Sequence, residues 1–552
     1  MRLLSKCYAA LLLCCLSESF ALTMAQAPAA PANSNASVAT ANSTSPILPN
    51  EPPSVSKAMH LYRDKKYDEA IAEYKRVIQA GFNAPTAYAG LARVALKQER
   101  VADAAAAAQK GLELGPNLAA THIAQGEVYF RQGKIEEAAD EFRKLVVANT
   151  SDARAYYGMA RVMHASSYHK KEKLLIDRAH QLNPDDPDIR QAWMVSLGLE
   201  EQIKELQANL DAKDLAPAAR TESEKRLARL KEIASQPPRG CRLPNAVENT
   251  QTDLLPIMHD ARNSSGYGLP VKVNGTPSTL LLDTGAGGIL ISKRIADKSG
   301  VHKIIDNKVG GIGDTGDQAG YLGYANSIKI GDLEFQDCYV EVMEKRFSDS
   351  EDGLLGADVF SDFLVDLDFP NHTVRLSQLP EDPSQPATPA ALDSGAVLTR
   401  QPHDKYIAPE MKSFSQVYRI GHDLLLPTKV NDQGPVLFLI DTGAFSNLIA
   451  LDLARTVGKV GVTDAVRIKG ISGEVKKVYR AQDVILQFSG YRQRMNEMLS
   501  LDMSNISNDA ETEISGMYGF EMLQMLEIKI DYRDGLVTFK FDSKRFHSPS
   551  LL

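Results

Sequence analysis

The tetrapeptide Asp-Thr-Gly-Ala occurs twice, at Asp283–Ala286 and Asp441–Ala444, and each copy closes an apolar run. Leu280-Leu281-Leu282 precedes the first and Val436-Leu437-Phe438-Leu439-Ile440 the second. A carboxylate at the end of a buried strand is costly unless it is paired or used. Two such ends in one chain suggest two similar β units that meet at their aspartates. Two facing carboxylates cannot both ionise, so they share a proton and can activate a water between them. Such a pair requires neither metal nor organic cofactor, and none is expected.

The duplication extends beyond the tetrapeptide. Asp352-Gly353-Leu354-Leu355-Gly356-Ala357-Asp358 leads into Phe363–Asp368, and Ser515-Gly516-Met517-Tyr518-Gly519-Phe520-Glu521 leads into Leu526–Asp531. Between the tetrapeptide and this second block each copy carries a glycine-rich hairpin tip: Gly310-Gly311-Ile312-Gly313 and Gly470-Ile471-Ser472-Gly473. On these three ordered motifs each copy resembles a retropepsin-type aspartic protease lobe, covering 253–379 and 416–545. A Pro-rich linker over 380–415 would join them.

The resemblance implies Asp283 and Asp441 as the catalytic pair. Thr284, Gly285, Thr442 and Gly443 would brace the two loops. Gly311, Ile312, Gly313, Gly470, Ile471 and Gly473 would form flap tips closing over an extended polypeptide substrate. The lobes pair within one chain or, alternatively, each pairs with its copy in a second molecule. A third Asp-Thr-Gly, Asp314–Gly316, lacks a preceding apolar strand and falls where the first flap belongs, so it is read as loop. Neither flap has a tyrosine at its tip, although Tyr321 and Tyr479 follow a few residues later.

A different period governs the first half. Small residues recur every 34 positions at Ala58, Ala92, Gly126 and Ala160, and in a second register at Ala70, Ala104 and Ala138. Pro116 and Pro184 end second helices of their units. This pattern resembles four tetratricopeptide repeats over 54–186, the fourth departing from it because Glu172 stands where a small residue is expected. Such arrays imply an α-solenoid that binds a protein partner. Residues 187–240 read as a capping helix and charged, solvated linker.

The predicted fold is therefore multidomain α + β: an N-terminal helical solenoid followed by two all-β acid-protease-type lobes. Residues 1–27 read as a secretory signal, with Arg2 and Lys6 before the apolar run Tyr8–Leu16 and Ala25-Gln26-Ala27 as the cleavage site. Residues 28–53 read as a disordered tether. The mature chain is then exported, periplasmic or secreted, with no integral membrane segment. Cys241 and Cys338 would remain, paired or as isolated thiols.

The net charge of −8 offers no electrostatic case for nucleic acid. No G-x-S-x-G, H-E-x-x-H or P-loop motif occurs. His259, His302, His372, His403 and His422 are scattered and read as surface or loop residues. The expected activity is that of an aspartic endopeptidase whose repeats recruit a substrate or partner. The competing readings are an inactive duplicated β-barrel binding module, or a scaffold in an envelope assembly.

Overall fold

A computed structural model of the chain describes residues 52–148, 151–211, 217–236, 241, 243–244, 249–258, 264–344, 352–383, 403–463 and 465–541. The proposed secretory signal, and the tether except for Pro52 and Pro53, lie outside the described residues.

The 34-residue period folds into four helix hairpins: α1 (Val55–Arg63) with α2 (Tyr67–Gln79), α3 (Ala84–Lys97) with α4 (Val101–Leu114), α5 (Ala119–Arg131) with α6 (Ile135–Val147), and α7 (Ala153–Ala165) with α8 (His169–Leu182). The small residues lie where helices approach. Ala58, Ala92, Ala70, Ala104 and Ala138 are fully buried. A Cβ on Gly126 would meet the Phe142 ring at 2.7 Å. At these crossings a larger side chain would hold the helices apart.

Residues 187–236 differ from the solvated linker expected of them. They form α9 (Pro187–Ser196), α10 (Leu199–Asp211) and α11 (Pro217–Ser235). Met194, Leu206, Leu210, Leu227 and Leu230 bury one another into a core of their own. The charged residues that suggested a linker are the solvent face of an amphipathic pair. At the far end Arg229 Nη2 donates to Asn307 Oδ1 at 3.3 Å, and Cys241 is disulfide-bonded to Cys338 in lobe 1.

Beyond Cys241 the described residues are mainly β, with short helices between strands. In lobe 1 the strands lie in the order Leu255–Met258, Ser264–Val273, Thr276–Asp283, Gly353–Gly356, Ile289–Ser292, Leu333–Met343, Gln318–Ile330 and His302–Val309. Lobe 2 repeats that order with Tyr418–Ile420, Asp423–Val430, Gln433–Ile440, Gly516–Tyr518, Leu448–Ala450, Tyr491–Leu501, Val478–Phe488 and Val460–Thr463. In each lobe the strand carrying the aspartate pairs in parallel with the glycine-ended strand of the second motif block.

A third sheet spans the lobes. It runs Asn249–Asp253, Thr373–Gln378, Phe363–Asp368, Leu526–Asp531, Leu536–Phe541, Ser415–Gln416, three strands from each lobe. The seam is the antiparallel pairing of Phe363–Asp368 with Leu526–Asp531, which puts Val365 opposite Ile530. Buried side chains of both lobes and this sheet form one continuous core. The two lobes therefore pair within one chain.

The second half of the expected linker is also packed. Residues 403–415 lie on lobe 2, with Ala408 and Met411 buried against Leu536. Residues 384–402 of that linker lie outside the described residues.

The repeats dock onto lobe 2. Phe130, Ile135 and Phe142 share a core with Leu437, Ile514 and Met517. Thr512 Oγ1 donates to Phe130 O at 2.7 Å and Arg161 Nη2 to Glu511 Oε2 at 3.0 Å. A Cβ on Gly133, in the turn after α5, would lie 3.0 Å from Glu513 O. Among the described residues no helix is long and apolar enough to cross a membrane.

Candidate active site

Each Asp-Thr-Gly loop leaves the end of its strand and meets the other at the lobe boundary. Thr284 N donates to Thr442 Oγ1 at 3.1 Å, and Thr442 N donates to Thr284 Oγ1 at 3.0 Å. The same hydroxyls donate onward, Thr284 Oγ1 to Ile440 O at 2.7 Å and Thr442 Oγ1 to Leu282 O at 2.8 Å. Each threonine thus accepts from and donates to the opposite loop, so both amides and both hydroxyls of this buried clasp have partners.

The clasp presses the loops together so closely that only glycine fits beside the carboxyls. A Cβ on Gly285 would stand 2.6 Å from Asp441 Cγ, and one on Gly443 would stand 2.3 Å from Asp283 Cγ. The second motif blocks brace the loops from behind. Gly356 N donates to Gly288 O at 2.8 Å and Gly288 N to Asp358 Oδ1 at 3.0 Å. Phe520 N donates to Ala444 O at 2.7 Å and Gly519 N to Asn447 Oδ1 at 2.9 Å.

Asp283 and Asp441 are consequently 9% and 7% exposed and hydrogen-bonded to each other. Burial, and then the neighbouring Asp441 charge, hold the Asp283 carboxyl well above the ordinary carboxylate range. Burial also raises Asp441, but the amides of Ala444 and Gly443 oppose it. They donate to Asp441 Oδ1 at 2.9 and 2.8 Å, whereas the Asp283 carboxylate accepts Gly285 N at 2.9 Å. The two carboxyls therefore share one proton and titrate as a unit.

The glycine-rich tips meet above this pair. Thr315 N donates to Ser472 O at 2.8 Å, Ser472 N to Ile312 O at 3.1 Å, and Gly311 N to Ser472 Oγ at 3.1 Å. The third Asp-Thr-Gly belongs to this contact: Asp314 Oδ2 accepts from Lys476 N at 2.8 Å, and Thr315 Oγ1 donates to Ser472 O at 2.5 Å. A Cβ on Gly313 or Gly470 would collide with the opposite tip's backbone, at 2.3 Å from Ser472 C and 2.2 Å from Ile312 O. Gly473, at φ +94°, lies against Thr315.

The tips cross over. Ile471 of the lobe 2 flap packs with Leu281, Leu290 and Val309 of lobe 1. Ile312 of the lobe 1 flap packs on the core that contains Leu439 and Leu448 of lobe 2. All twelve residues that the resemblance singled out thus lie at the junction of the two lobes, around or above the two carboxyls.

Sequence reasoning missed His422. It sits in a turn of lobe 2, yet its Nε2 is 3.2 Å from Gly285 O and 3.3 Å from Asp423 Oδ1. A positive charge on this ring would oppose the rise at Asp441. No local pattern marks it, because its partner loop is 137 residues away. Tyr321 and Tyr479 lie in the long flap-side strands rather than at the tips.

Two segments, 269–359 and 426–514, match a family model described as aspartyl protease. The chain carries two tandem aspartyl protease family domains. Residues 55–119 and 123–187 match a tetratricopeptide repeat model, so the helical hairpins are tetratricopeptide repeats. Curated relatives match part of the chain at low identity. DNA damage-inducible protein 1 of Kluyveromyces lactis is 28% identical over 140 residues, 25% of this chain and 32% of the relative. Its namesake in Neurospora crassa is 33% identical over 102 residues, 18% of this chain and 22% of the relative. The UBA domain-containing protein Mud1 of Schizosaccharomyces pombe is 31% identical over 108 residues, 19% of this chain and 31% of the relative. The chain therefore spans about a third or less of the length of these relatives. A solved aspartic proteinase from Irpex lacteus aligns with 55% of this chain and all of its own, at 12% identity and a TM-score of 0.34.

Proposed function

We propose that this chain is an exported aspartic endopeptidase that hydrolyses peptide bonds with water activated by Asp283 and Asp441. The observation that carries the reading is the pair of buried, mutually hydrogen-bonded carboxyls held by reciprocal threonine bonds beneath two crossing flaps. The ionised member of the pair takes a proton from water as the oxygen attacks the substrate carbonyl. The protonated member donates a hydrogen bond to the carbonyl oxygen as charge develops there. Return of a proton to the amide nitrogen then releases the amine. The tips at Gly311–Gly313 and Gly470–Gly473 hold the substrate as an extended strand after opening to admit it. The apolar clusters against Ile471 and Ile312 suit apolar side chains on both sides of the bond.

The tetratricopeptide repeats recruit the protein substrate or a partner, and their docking on lobe 2 would deliver it beside the flaps. Export, to a periplasm or to the medium, is supported by the basic, apolar and small-residue order of residues 1–27 and by the Cys241–Cys338 pair.

The test is peptide-library cleavage by residues 28–552 across pH 3 to 8, with Asp283→Asn and Asp441→Asn in parallel. The expected result is cleavage by wild type and none by either variant. Partial activity in each single variant would contradict a shared pair. A wild type that cuts nothing at any pH and binds no pepstatin-type inhibitor would favour a binding module.

A further inference from the structure

The fourth repeat breaks its own rule. The position held by Ala70, Ala104 and Ala138, each fully buried between helices, is held by Glu172 in α8. A carboxylate gains nothing as a spacer there, and its chemistry has to be accounted for.

Two imidazoles converge on it. His164 Nδ1 lies 2.9 Å from Glu172 Oε1, and His169 Nδ1 lies 3.1 Å from Glu172 Oε2. One donor atom from each of the three side chains falls within 4.8 Å of the others. The backbone makes this convergence. His164 occupies the last turn of α7, Ser167 reverses the chain at φ 64°, and His169 opens α8 three residues before Glu172. Residues i and i+3 share a helix face, so His169 and Glu172 look back together at His164.

We infer that His164, His169 and Glu172 form a binding site for a divalent transition-metal ion of the zinc type. Two imidazole nitrogens and one carboxylate oxygen make a donor set that suits zinc and its neighbours and disfavours magnesium and calcium. Bonds of about 2.0–2.1 Å to a tetrahedral ion put donors roughly 3.3 Å apart. The two histidine–glutamate spacings, one to each carboxylate oxygen, are close to that, and a small rotation of the carboxylate would bring one oxygen to both rings. The ion would take the place of the protons that bridge the carboxylate and the rings, with water completing its shell.

The surroundings give the site a consequence. His169 N donates to His403 O at 3.1 Å, and Lys170 N and Lys171 N both donate to Asp404 Oδ1 at 3.1 Å. The His403 ring packs edge-on against His169 with centroids 6.0 Å apart. The cluster thus sits where the interlobe segment returns to lobe 2 across the repeats. An ion bound there would stiffen the turn between α7 and α8 on which that segment rests.

Equilibrium dialysis of the untagged full chain against zinc chloride, with thermal melts, tests the site. Wild type should bind one zinc ion per chain and melt higher with zinc than with magnesium. Glu172→Ala, which restores the residue of the other repeats and should fold, should bind at least about tenfold more weakly and lose the zinc-dependent rise. His164→Ala and His169→Ala should do the same. A wild type that takes up no zinc at about 100 µM would overturn the site, as would a Glu172→Ala chain that binds zinc like wild type.

Discussion

Asp283 and Asp441 carry opposing demands. Both carboxyls titrate above their unfolded-chain value, Asp283 because of burial and the neighbouring Asp441 charge, Asp441 because of burial. The native state therefore holds extra proton as pH rises above the ordinary carboxylate range, and stability falls with rising pH through that window. Replacing either aspartate by the isosteric asparagine removes the repulsion along with the function. Asp283→Asn and Asp441→Asn should each lower kcat by about 10³-fold or more. Each should also raise Tm at pH 7, with the gain shrinking toward pH 4. Melts of the variants at both pH values check the sign, and destabilised variants at pH 7 would contradict it.

The threonines are the second residue-scale test. Thr284→Val removes an acceptor from Thr442 N and a donor from Ile440 O in a buried clasp, at a cost of about 2–3 kcal/mol, while Thr284→Ser should stay near wild type. Urea unfolding of both variants decides it, since equal losses would mean that the methyl group, not the hydroxyl, matters. These residues were legible in the sequence because a strand end followed by Thr-Gly is a local pattern, repeated. His422 was not legible, since its contact with Gly285 exists only after two lobes have folded and met.

At the scale of elements, the flaps form a latch built mainly from backbone. Ser472 accepts and donates across the gap, and Thr315 adds a side-chain bond to it. The double variant Thr315→Val, Ser472→Ala keeps the main-chain bonds and the Asp314–Lys476 bond but loses the side-chain bonds of Thr315 and Ser472, weakening closure by about 2 kcal/mol. Amide exchange at 311–315 and 470–476 should then quicken by about tenfold or more. Unchanged exchange would mean that the side chains contribute nothing to closure.

The glycine-rich tips were readable from sequence as hairpins. That they interlock, and that Asp314-Thr315-Gly316 belongs to the lock, was not readable, because nothing within either hairpin encodes its partner. The 34-residue period gave the helices, their small-residue crossings and their ends at Pro116 and Pro184. Beyond Asp186 the chain reads as a capping helix and solvated linker; it is helical, but the high charge density obscured the leucines of α10 and α11 that pack on each other.

Across the whole molecule the repeats and lobe 2 share a core, and α11 with the Cys241–Cys338 link ties the helical part to lobe 1. Helical and β parts should therefore unfold together. Far-ultraviolet ellipticity at 222 nm, followed beside near-ultraviolet signals from the lobe tyrosines, should give coincident transitions. Helices that melt more than about 10 °C ahead of the lobes would show the docking to be weak. Sequence periodicity reports on packing between neighbouring repeats and is silent about such a surface.

The sheet that takes three strands from each lobe has a kinetic consequence. A pair of carboxyls assembled from two separate chains would come apart on dilution, and its rate per molecule would fall with concentration. Here the covalent connection and the shared strands make the encounter permanent. The pairing is therefore independent of concentration, and a single chain carries both carboxyls of the site.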